Sequence, residues 1–349
     1  MIEFLSEYGL FLAKSITVVV AILLVVGGVA ASTRRGHGDH EGEIKIENLN
    51  EAYEDMEHSL KYAVLSKEEL KKEEKAHKKK LKEEKKSAKK SDAPEHKKRI
   101  FVLDFDGDVH AEGVENLGTE ITTILTVATE KDEVVLRLES PGGQVHAYGL
   151  AASQLARITA KNIPFTVCVD KVAASGGYMM ACIADKVIAA PFAILGSIGV
   201  IAELPNFNRI LKKNDVDYEV YTAGKYKRTV SIMGEITKDG EKKFKEELES
   251  THVLFKDMVS TNRPDMDIEK IATGEHWYGT QAIELQLADE IRTSEDYLFA
   301  ASKDCDIYSV SYEVKRSVAE KLGLAAEKTF SRTLMKGWSE LTSRHNRIV

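Results

Sequence analysis

The stretch EVVLRLESPGGQVHAYGLAASQLARITAKNIPFTVCVD, residues 133–170, decides the fold class. Its opening EVVLRLE is rich in valine and leucine, as in a strand buried within a sheet. HAYGLAASQLARITA then repeats apolar side chains at helical intervals, at Leu150, Leu155 and Ile158. IPFTVCVD is a second apolar strand. This order predicts a βαβ unit whose two strands lie parallel in one sheet.

The same alternation of strands and helices extends over residues 99–291. We predict further strands at RIFVLDF, KVIAAP and YEVYTA, and further helices at VENLGTEITTILTVAT, SGGYMMACIA and KKFKEELESTHVLFKDMVSTN. TQAIELQLADEI is predicted to be a helix that leads to a strand. AILGSIGVIA is too short and too glycine-rich to cross a bilayer, so we interpret it as a core strand and turn. The pattern predicts an α/β domain with a buried parallel sheet over residues 99–314, followed by a helical tail over residues 315–349.

The N-terminal region contains a long apolar run. SITVVVAILLVVGGVAAS, residues 15–32, has 18 residues without a charge and, with the apolar residues before it, can cross a bilayer core of about 30 Å. The first cation is Lys14, whereas a cleaved signal peptide begins with a basic region. We therefore expect an uncleaved membrane anchor within residues 1–35, with cleavage after VAAS as the alternative. Arg34 and Arg35 favour a cytoplasmic body, although large downstream domains override this tendency.

Charge is unevenly distributed along the chain of 349 residues, whose net charge is −7. Residues 67–99 contain 15 lysines and arginines against 8 acidic residues, and the remainder is strongly acidic. The basic run is polar on all faces, which is typical of a solvated helix or a disordered stalk, with contact to anionic lipid headgroups as the alternative. No aromatic residues are interleaved, so we expect no nucleic-acid partner. We predict a charged linker or stalk helix over residues 36–98.

The three cysteines are Cys168, Cys182 and Cys305, and their spacing fits neither a disulfide framework nor a zinc site. Two of them lie in strongly apolar runs, so we expect buried, unreactive thiols. No metal site is predicted.

Two glycine-rich segments stand where a strand gives way to a helix. ESPGGQVHAYG, residues 139–149, contains a turn whose amides could approach a ligand closely. VAASGGYMMA, residues 172–181, places Ser175 before two glycines and an apolar helix. Either the small residues allow close packing of that helix, or Ser175 is a nucleophile beside free amides at a helix N-terminus.

A serine nucleophile needs a base, and the sequence offers lysine more readily than histidine. No histidine lies between His146 and His252, whereas YTAGKYKRT supplies Lys225, Lys227 and Arg228 after a predicted strand. Lysine acts as a base only when neutral, and its ordinary pKa of about 10.4 falls by up to about 3–5 units on burial. Local sequence alone favours an ordinary solvated loop for these three residues.

Five motifs in one order now identify a resemblance: ESPGG, VAASGGYMMA, GSIGV, AGKYKR and GEHWYGTQAIELQLADEI. They resemble the membrane-anchored serine peptidases of the signal peptide peptidase A family, most closely its SohB branch, over residues 99–293. The anchor and charged linker look like that branch too. The resemblance implies a ClpP/crotonase-like fold of repeated ββα units, a bacterial inner (cell) membrane location, and a homo-oligomer. It also implies a peptide or protein substrate, lipid contact through the N-terminal span, and no metal or organic cofactor.

The resemblance further implies a Ser/Lys dyad. Ser175 matches the nucleophile, Lys227 the general base, and Ser197 a hydroxyl that orients the lysine amine. Lys227 is chosen over Lys225 because Tyr226 precedes it in the family setting. The resemblance implies an oxyanion hole that uses a backbone amide of Gly142 or Gly143, with that of Gly176 as a further candidate donor.

The expected function is therefore that of a membrane-anchored serine endopeptidase acting on peptides or membrane-protein fragments. Two alternatives remain: a crotonase-like acyl-CoA enzyme on the same fold, and a catalytically silent membrane scaffold. The acyl-CoA enzyme would leave Ser175, Lys227 and the anchor unexplained.

Overall fold

The computed structural model describes residues 42–66 and 97–314, together with Lys14, residues 68–70, Lys72 and Lys75. The predicted anchor, most of the basic run and the predicted C-terminal tail lie outside the described residues. Within the described part, no helix is both long and apolar enough to span a membrane. Ile44–Tyr312 is the larger of two compact units in the chain.

A seven-stranded sheet forms the centre of the larger unit. Its strands are β1 (Gly42–Asn48), β2 (Arg99–Asp106), β3 (Glu133–Glu139), β4 (Phe165–Val169), β6 (Lys186–Ala189), β9 (Glu290–Ile291) and β10 (Asp306–Val314). They lie in the order β1-β10-β2-β3-β4-β6-β9, and every pair from β10 to β9 is parallel. The predicted α/β class and the buried parallel sheet are confirmed.

Helices cover both faces of this sheet. They are α1 (Leu49–Val64), α2 (Val114–Leu125), α3 (Val145–Thr159), α4 (Gly176–Ala181), α5 (Asn208–Lys213), α6 (Lys238–Asn262), α7 (Ile268–Ile271), α8 (Gly279–Glu284) and α9 (Ser294–Ala301). Leu103 and Leu136 of neighbouring strands point toward α2, α3, α4 and α6, where most of the core lies. Val102 and Val135 point to the opposite face, toward α9 and the start of α1.

The buried face of α3 differs from the predicted one. The residues that it buries are Tyr148, Ala151, Ala152, Leu155 and Ile158. Leu150, predicted on the same face, is 47% exposed. It lies five positions before Leu155, or roughly 140° around the helix, so the two side chains cannot share a face. The alanines leave room for α3 to pack closely on its neighbours.

The strand predicted at YEVYTA is also wrong. Residues 218–223 form an irregular segment, and no described strand pairs with them. Tyr221 is 87% exposed, and Tyr218 and Val220 are exposed as well. Alternation alone does not make a strand, because a strand also needs a partner strand to pair with.

Part of the predicted linker belongs to the compact unit, because β1 and α1 form within residues 42–64. Asn50 fixes the start of α1. Its side-chain amide donates to the carbonyls of Ser302 and Cys305 at 2.9 Å each, and its carbonyl oxygen accepts from the amide of Ile307 at 2.7 Å. These three bonds tie the first turn of α1 to the loop before β10 and to the start of β10 itself.

A second, smaller sheet lies beside the end of the large one. Its strands are β5 (Val172–Ala174), β7 (Ile194–Gly196) and β8 (His276–Tyr278). β5 pairs parallel with β7, and β7 pairs antiparallel with β8. An isolated bridge between Ser140 and Ala173 joins the residue after β3 to this sheet. Both glycine-rich segments therefore meet at one place.

Candidate active site

Ser175 stands between β5 and α4 in a backbone conformation that serine rarely adopts. Its φ is +52° and its ψ is −120°. Its amide donates to the carbonyl of Gly196 at 2.8 Å, which holds the turn against β7. The side chain makes no capping hydrogen bond to α4 and is only partly buried. Strained backbone of this kind persists where the surrounding structure holds it, and it clusters at functional sites.

Both glycines after Ser175 are required by packing. A Cβ added to Gly176 would lie 2.4 Å from Cγ of Tyr148, and one added to Gly177 would lie 2.4 Å from the carbonyl oxygen of Ser140. Every residue of α4 is buried, and Tyr178 donates its hydroxyl proton to the carbonyl of Leu287 at 3.0 Å. The close-packing explanation of the two glycines is thus correct, and it is compatible with a nucleophile at Ser175.

The ESPGG turn lies directly over the start of α4. Gly142 has a φ of +90°, and a Cβ there would lie 2.6 Å from the nitrogen of Gly176 and 2.8 Å from Cβ of Ser175. Its own amide donates to Oγ of Ser140 at 3.1 Å, so Gly142 is not a free oxyanion donor in this conformation. The exposed Gly143 has an amide without a partner among the described residues. The Gly176 amide opens α4, where no intrahelical acceptor exists.

A chain of buried hydrogen bonds runs behind this turn. Oγ of Ser140 lies 2.5 Å from the hydroxyl of Tyr148, and that hydroxyl donates to the carbonyl of Asp108 at 2.7 Å. Both Ser140 and Tyr148 are fully buried. Burial raises the pKa of Tyr148, so its hydroxyl remains a proton donor at neutral pH. Sequence reasoning missed these two residues, although both lie inside the quoted ESPGGQVHAYG segment.

Ser197 lies next to Ser175. Ala174 pairs with Gly196 in two parallel strands, so the residues that follow them leave the small sheet side by side. Ser197 also has a positive φ, +51°, and its amide donates to the carbonyl of Glu275 at 2.6 Å. The structure therefore brings together Ser175, Ser197 and the glycine turn.

Lys227 lies on an exposed segment instead. Its amide donates to the carbonyl of Gly224 at 3.1 Å, and the side chain faces solvent. Among the described residues, its ammonium makes no hydrogen bond or ion pair, with Ser175 or with any other side chain. The sequence interpretation required a buried lysine, whereas this conformation leaves Lys227 exposed. The structure therefore does not bring the predicted base to the nucleophile.

The neighbouring lysine is engaged elsewhere. The ammonium of Lys225 lies 4.9 Å from the ring centre of Tyr226, and that of Lys243 on α6 lies 5.6 Å from the same ring. A hydrogen bond with Tyr226 raises the pKa of Lys225, which favours its charged form. Thr229 then docks on α6, where a Cβ on Gly240 would lie 2.2 Å from its carbonyl oxygen. The segment is thus anchored at its end, just after Lys227.

Neither Cys168 nor Cys182 has the low pKa of a nucleophilic thiol. Cys168 and Cys182 are buried, and burial raises the pKa of each thiol to about 12. Such thiols stay protonated and unreactive. Among the described residues, no group of three or more histidine, cysteine or acidic side chains is placed to hold a metal ion.

The chain is similar in sequence to known peptidases. Residues 3–155 match the model of the Peptidase family S49 N-terminal region, and residues 157–307 match Peptidase family S49. The chain is 51% identical to the Probable protease SohB of Haemophilus influenzae, over 94% of each chain. It is 50% identical to the Probable protease SohB of Buchnera aphidicola subsp. Acyrthosiphon pisum, over 69% of this chain and 72% of the relative. Among solved structures, the 1510-N membrane-bound stomatin-specific protease matches with a TM-score of 0.39 and 13% identity, over 58% of this chain and 84% of that one.

Proposed function

The chain belongs to peptidase family S49, and we propose that it is a serine endopeptidase that uses Ser175 as nucleophile and Lys227 as base. One observation carries the proposal. Ser175 is held at a φ of +52°, and its hydroxyl makes no capping hydrogen bond to α4. The amides of Gly143 and Gly176 beside it are free to donate. That is the geometry an acyl-transfer site needs, with a nucleophile beside preorganised backbone donors.

In the proposed reaction, the neutral amine of Lys227 takes the proton from Oγ of Ser175 while Oγ bonds to the carbonyl carbon of the substrate. The carbonyl π electrons move to oxygen, and the amides of Gly143 and Gly176 stabilise the resulting oxyanion. Losing one such donor typically costs about 2.7–4 kcal/mol. Collapse of the intermediate expels the substrate amine, which takes the proton from Lys227. Water then hydrolyses the acyl-serine by the same proton transfers, with Ser197 orienting the lysine amine.

The proposal requires the Lys227 segment to close over the site, because a lysine becomes neutral near pH 7 only when it is shielded from water. We propose that a homo-oligomer shields it. Tyr218, Val220 and Tyr221 support this, because they expose apolar surface on the same segment. Lys225 fits the role of base less well, since its bond to Tyr226 stabilises the ammonium form.

We further propose that residues 15–32 anchor the enzyme in a bacterial inner membrane, with peptides or membrane-protein fragments as substrates. The uncharged run of 18 residues supports the anchor. The finer fold assignment, a ClpP/crotonase-like arrangement, is supported by the succession of β4, β5 and α4, a ββα unit that carries Ser175 at its last junction.

Three variants of the full chain test the mechanism, with an internally quenched peptide as substrate. We expect Ser175→Ala to abolish cleavage because it removes the nucleophile. Lys227→Arg should abolish cleavage at every pH, because arginine cannot give up its proton. Lys225→Arg, the matched control two residues away, should keep most of the activity. The reverse result for the two lysines would assign the base to Lys225.

Covalent labelling separates the reaction classes. A fluorophosphonate should modify Ser175 in the native enzyme, and mass spectrometry of the labelled peptide would locate the adduct. An enzyme that cleaves peptides yet carries no adduct on Ser175 would refute the nucleophile. A protein with neither cleavage nor adduct would match the acyl-CoA or scaffold alternatives.

A further inference from the structure

We propose that Ser140 and Tyr148 are positioning residues, whose hydrogen-bond chain fixes the Gly142–Gly143 turn against the nucleophile helix α4. The inference rests on the proposed function, because it assigns these residues to the oxyanion side of that site. In this proposal neither side chain contacts the reacting atoms. Both act through the backbone of Gly142 and Gly143.

The direction of every bond in the chain is determined. Tyr148 has one hydroxyl proton, and the carbonyl of Asp108, 2.7 Å away, can only accept it. The hydroxyl of Ser140 must therefore donate its proton to the oxygen of Tyr148, at 2.5 Å. Oγ of Ser140 remains free to accept, and it receives the amide proton of Gly142 at 3.1 Å. A single ordered chain thus runs from Gly142 to Asp108.

The same two residues also contact α4. The ring of Tyr148 fills the space where Gly176 would carry a side chain, 2.4 Å from the Cβ position. The carbonyl of Ser140 occupies the equivalent space at Gly177, also at 2.4 Å, and accepts from the amide of Ala174 at 3.0 Å. One pair of residues therefore sets the distance between the oxyanion turn and the helix that begins at Gly176.

This arrangement gives the Gly142 amide a structural role and leaves the oxyanion to other donors. Bound to Ser140, it fixes the peptide plane before Gly142, at a residue whose φ of +90° would otherwise be poorly restrained. The amide of Gly143, which follows in the chain, is then held in one orientation toward the position of the oxyanion. Oxyanion donors must lie within about 2.7–3.1 Å of the developing charge, and a misplacement of about 1 Å can cost about 100-fold in rate.

The test uses Tyr148→Phe and Ser140→Ala, which each remove one oxygen from the full-length enzyme. We expect each to lower kcat by about 10–100-fold with KM within about twofold, because the loss falls on the transition state. The double variant should be no slower than the slower single variant, since the two residues act as one chain. Tyr297→Phe is the matched control. It loses a tyrosine hydroxyl bond, 2.6 Å to Glu133, on the opposite face of the sheet. It should lower the Tm without lowering kcat.

Hydrogen–deuterium exchange gives a readout that does not depend on catalysis. Ser140→Ala should speed exchange in the peptide containing Gly142, whereas Tyr297→Phe should not. A Tyr148→Phe enzyme with wild-type kcat, or unchanged exchange in Ser140→Ala, would overturn the positioning inference while an inactive Ser175→Ala upheld the proposed function. An active Ser175→Ala enzyme would overturn the proposed function, and exchange alone would then decide whether the chain holds the turn.

Discussion

Two glycines seven residues apart in the ESPGGQVHAYG segment should respond oppositely to the same substitution. Gly142→Ala places a methyl group 2.6 Å from the nitrogen of Gly176, 2.7 Å from the carbonyl of Ala174 and 2.8 Å from Cβ of Ser175. The φ of +90° costs an alanine about 1–2 kcal/mol, and overpacking against rigid backbone costs about 1–3 kcal/mol more. We therefore expect the free energy of unfolding to fall by about 2–5 kcal/mol.

Gly149→Ala is the control, because a Cβ there meets nothing within 4 Å. Alanine inside helix α3 should raise the free energy of unfolding by about 0.5–1 kcal/mol. For a domain of this size, the two changes correspond to a Tm about 4–20 °C lower and about 1–4 °C higher, respectively. Differential scanning calorimetry measures both.

The rate of peptide cleavage should also separate the two variants. Assayed well below its Tm, Gly142→Ala should still be strongly impaired, because its methyl group displaces Ser175 or the amide of Gly176. Gly149→Ala should cleave at the wild-type rate. A Gly142→Ala enzyme with wild-type Tm and rate would show that the turn does not pack on the nucleophile, and the site described above would be wrong.

Three further predictions test other parts of the structure. Burial alone would raise the pKa of Asp132, but hydrogen bonds from Arg99 and Thr129 lower it to about 2. The free energy of unfolding should therefore decrease as the pH falls from about 4 to 2. Urea titrations of Asp132→Asn should lack that decrease. Gly196→Ala should lower the Tm and slow cleavage, because its φ is +96° and its Cβ would meet the tryptophan ring of β8 at 2.7 Å; a Tm equal to that of the native enzyme would contradict this. Iodoacetamide at pH 8 should leave Cys168 and Cys182 unmodified in the folded enzyme, and peptide mapping that finds either one alkylated would contradict their burial.

Apolar runs in the sequence were sufficient to predict β2, β3, β4 and β6 of the large sheet, whereas β1 and β10 were not predicted. The strand at residues 133–139 and its parallel partner at Phe165–Val169 follow from apolar runs that need burial on both faces. Leu150 shows the limit of this reasoning. Its hydrophobicity suggested the core, but the alanines of α3 provide the close packing, and the exposed leucine borders the groove between α2 and α3.

Placement of the site was harder to predict, because it depends on contacts between distant segments. Ser175 and Ser197 meet through the pairing of β5 with β7, and those strands have only three residues each. Strands that short carry almost no periodic signal. The sequence also gave no sign that the Gly142 amide is used internally, since this depends on where Oγ of Ser140 points.

The segment that carries Lys227 behaves differently from the rest of the site for a physical reason. Ser175, Ser197 and the glycine turn are held by buried backbone bonds and close packing, so a single chain fixes them. The lysine segment has exposed aromatic side chains and few such bonds. Under the proposed mechanism, this segment must be covered before Lys227 can act as the base.

The two explanations of the SGG sequence, close packing and catalysis, therefore describe one arrangement. Gly176 lacks a Cβ because the Tyr148 ring occupies that space, and the same ring carries the hydroxyl that orders Ser140 and, through it, Gly142. A residue larger than glycine at 176 would push Tyr148 away and disturb the turn over Ser175 at the same time. Stability and catalysis at this position should consequently fall together, whereas Tyr148→Phe, which keeps the ring and removes only the oxygen, should affect catalysis far more than packing.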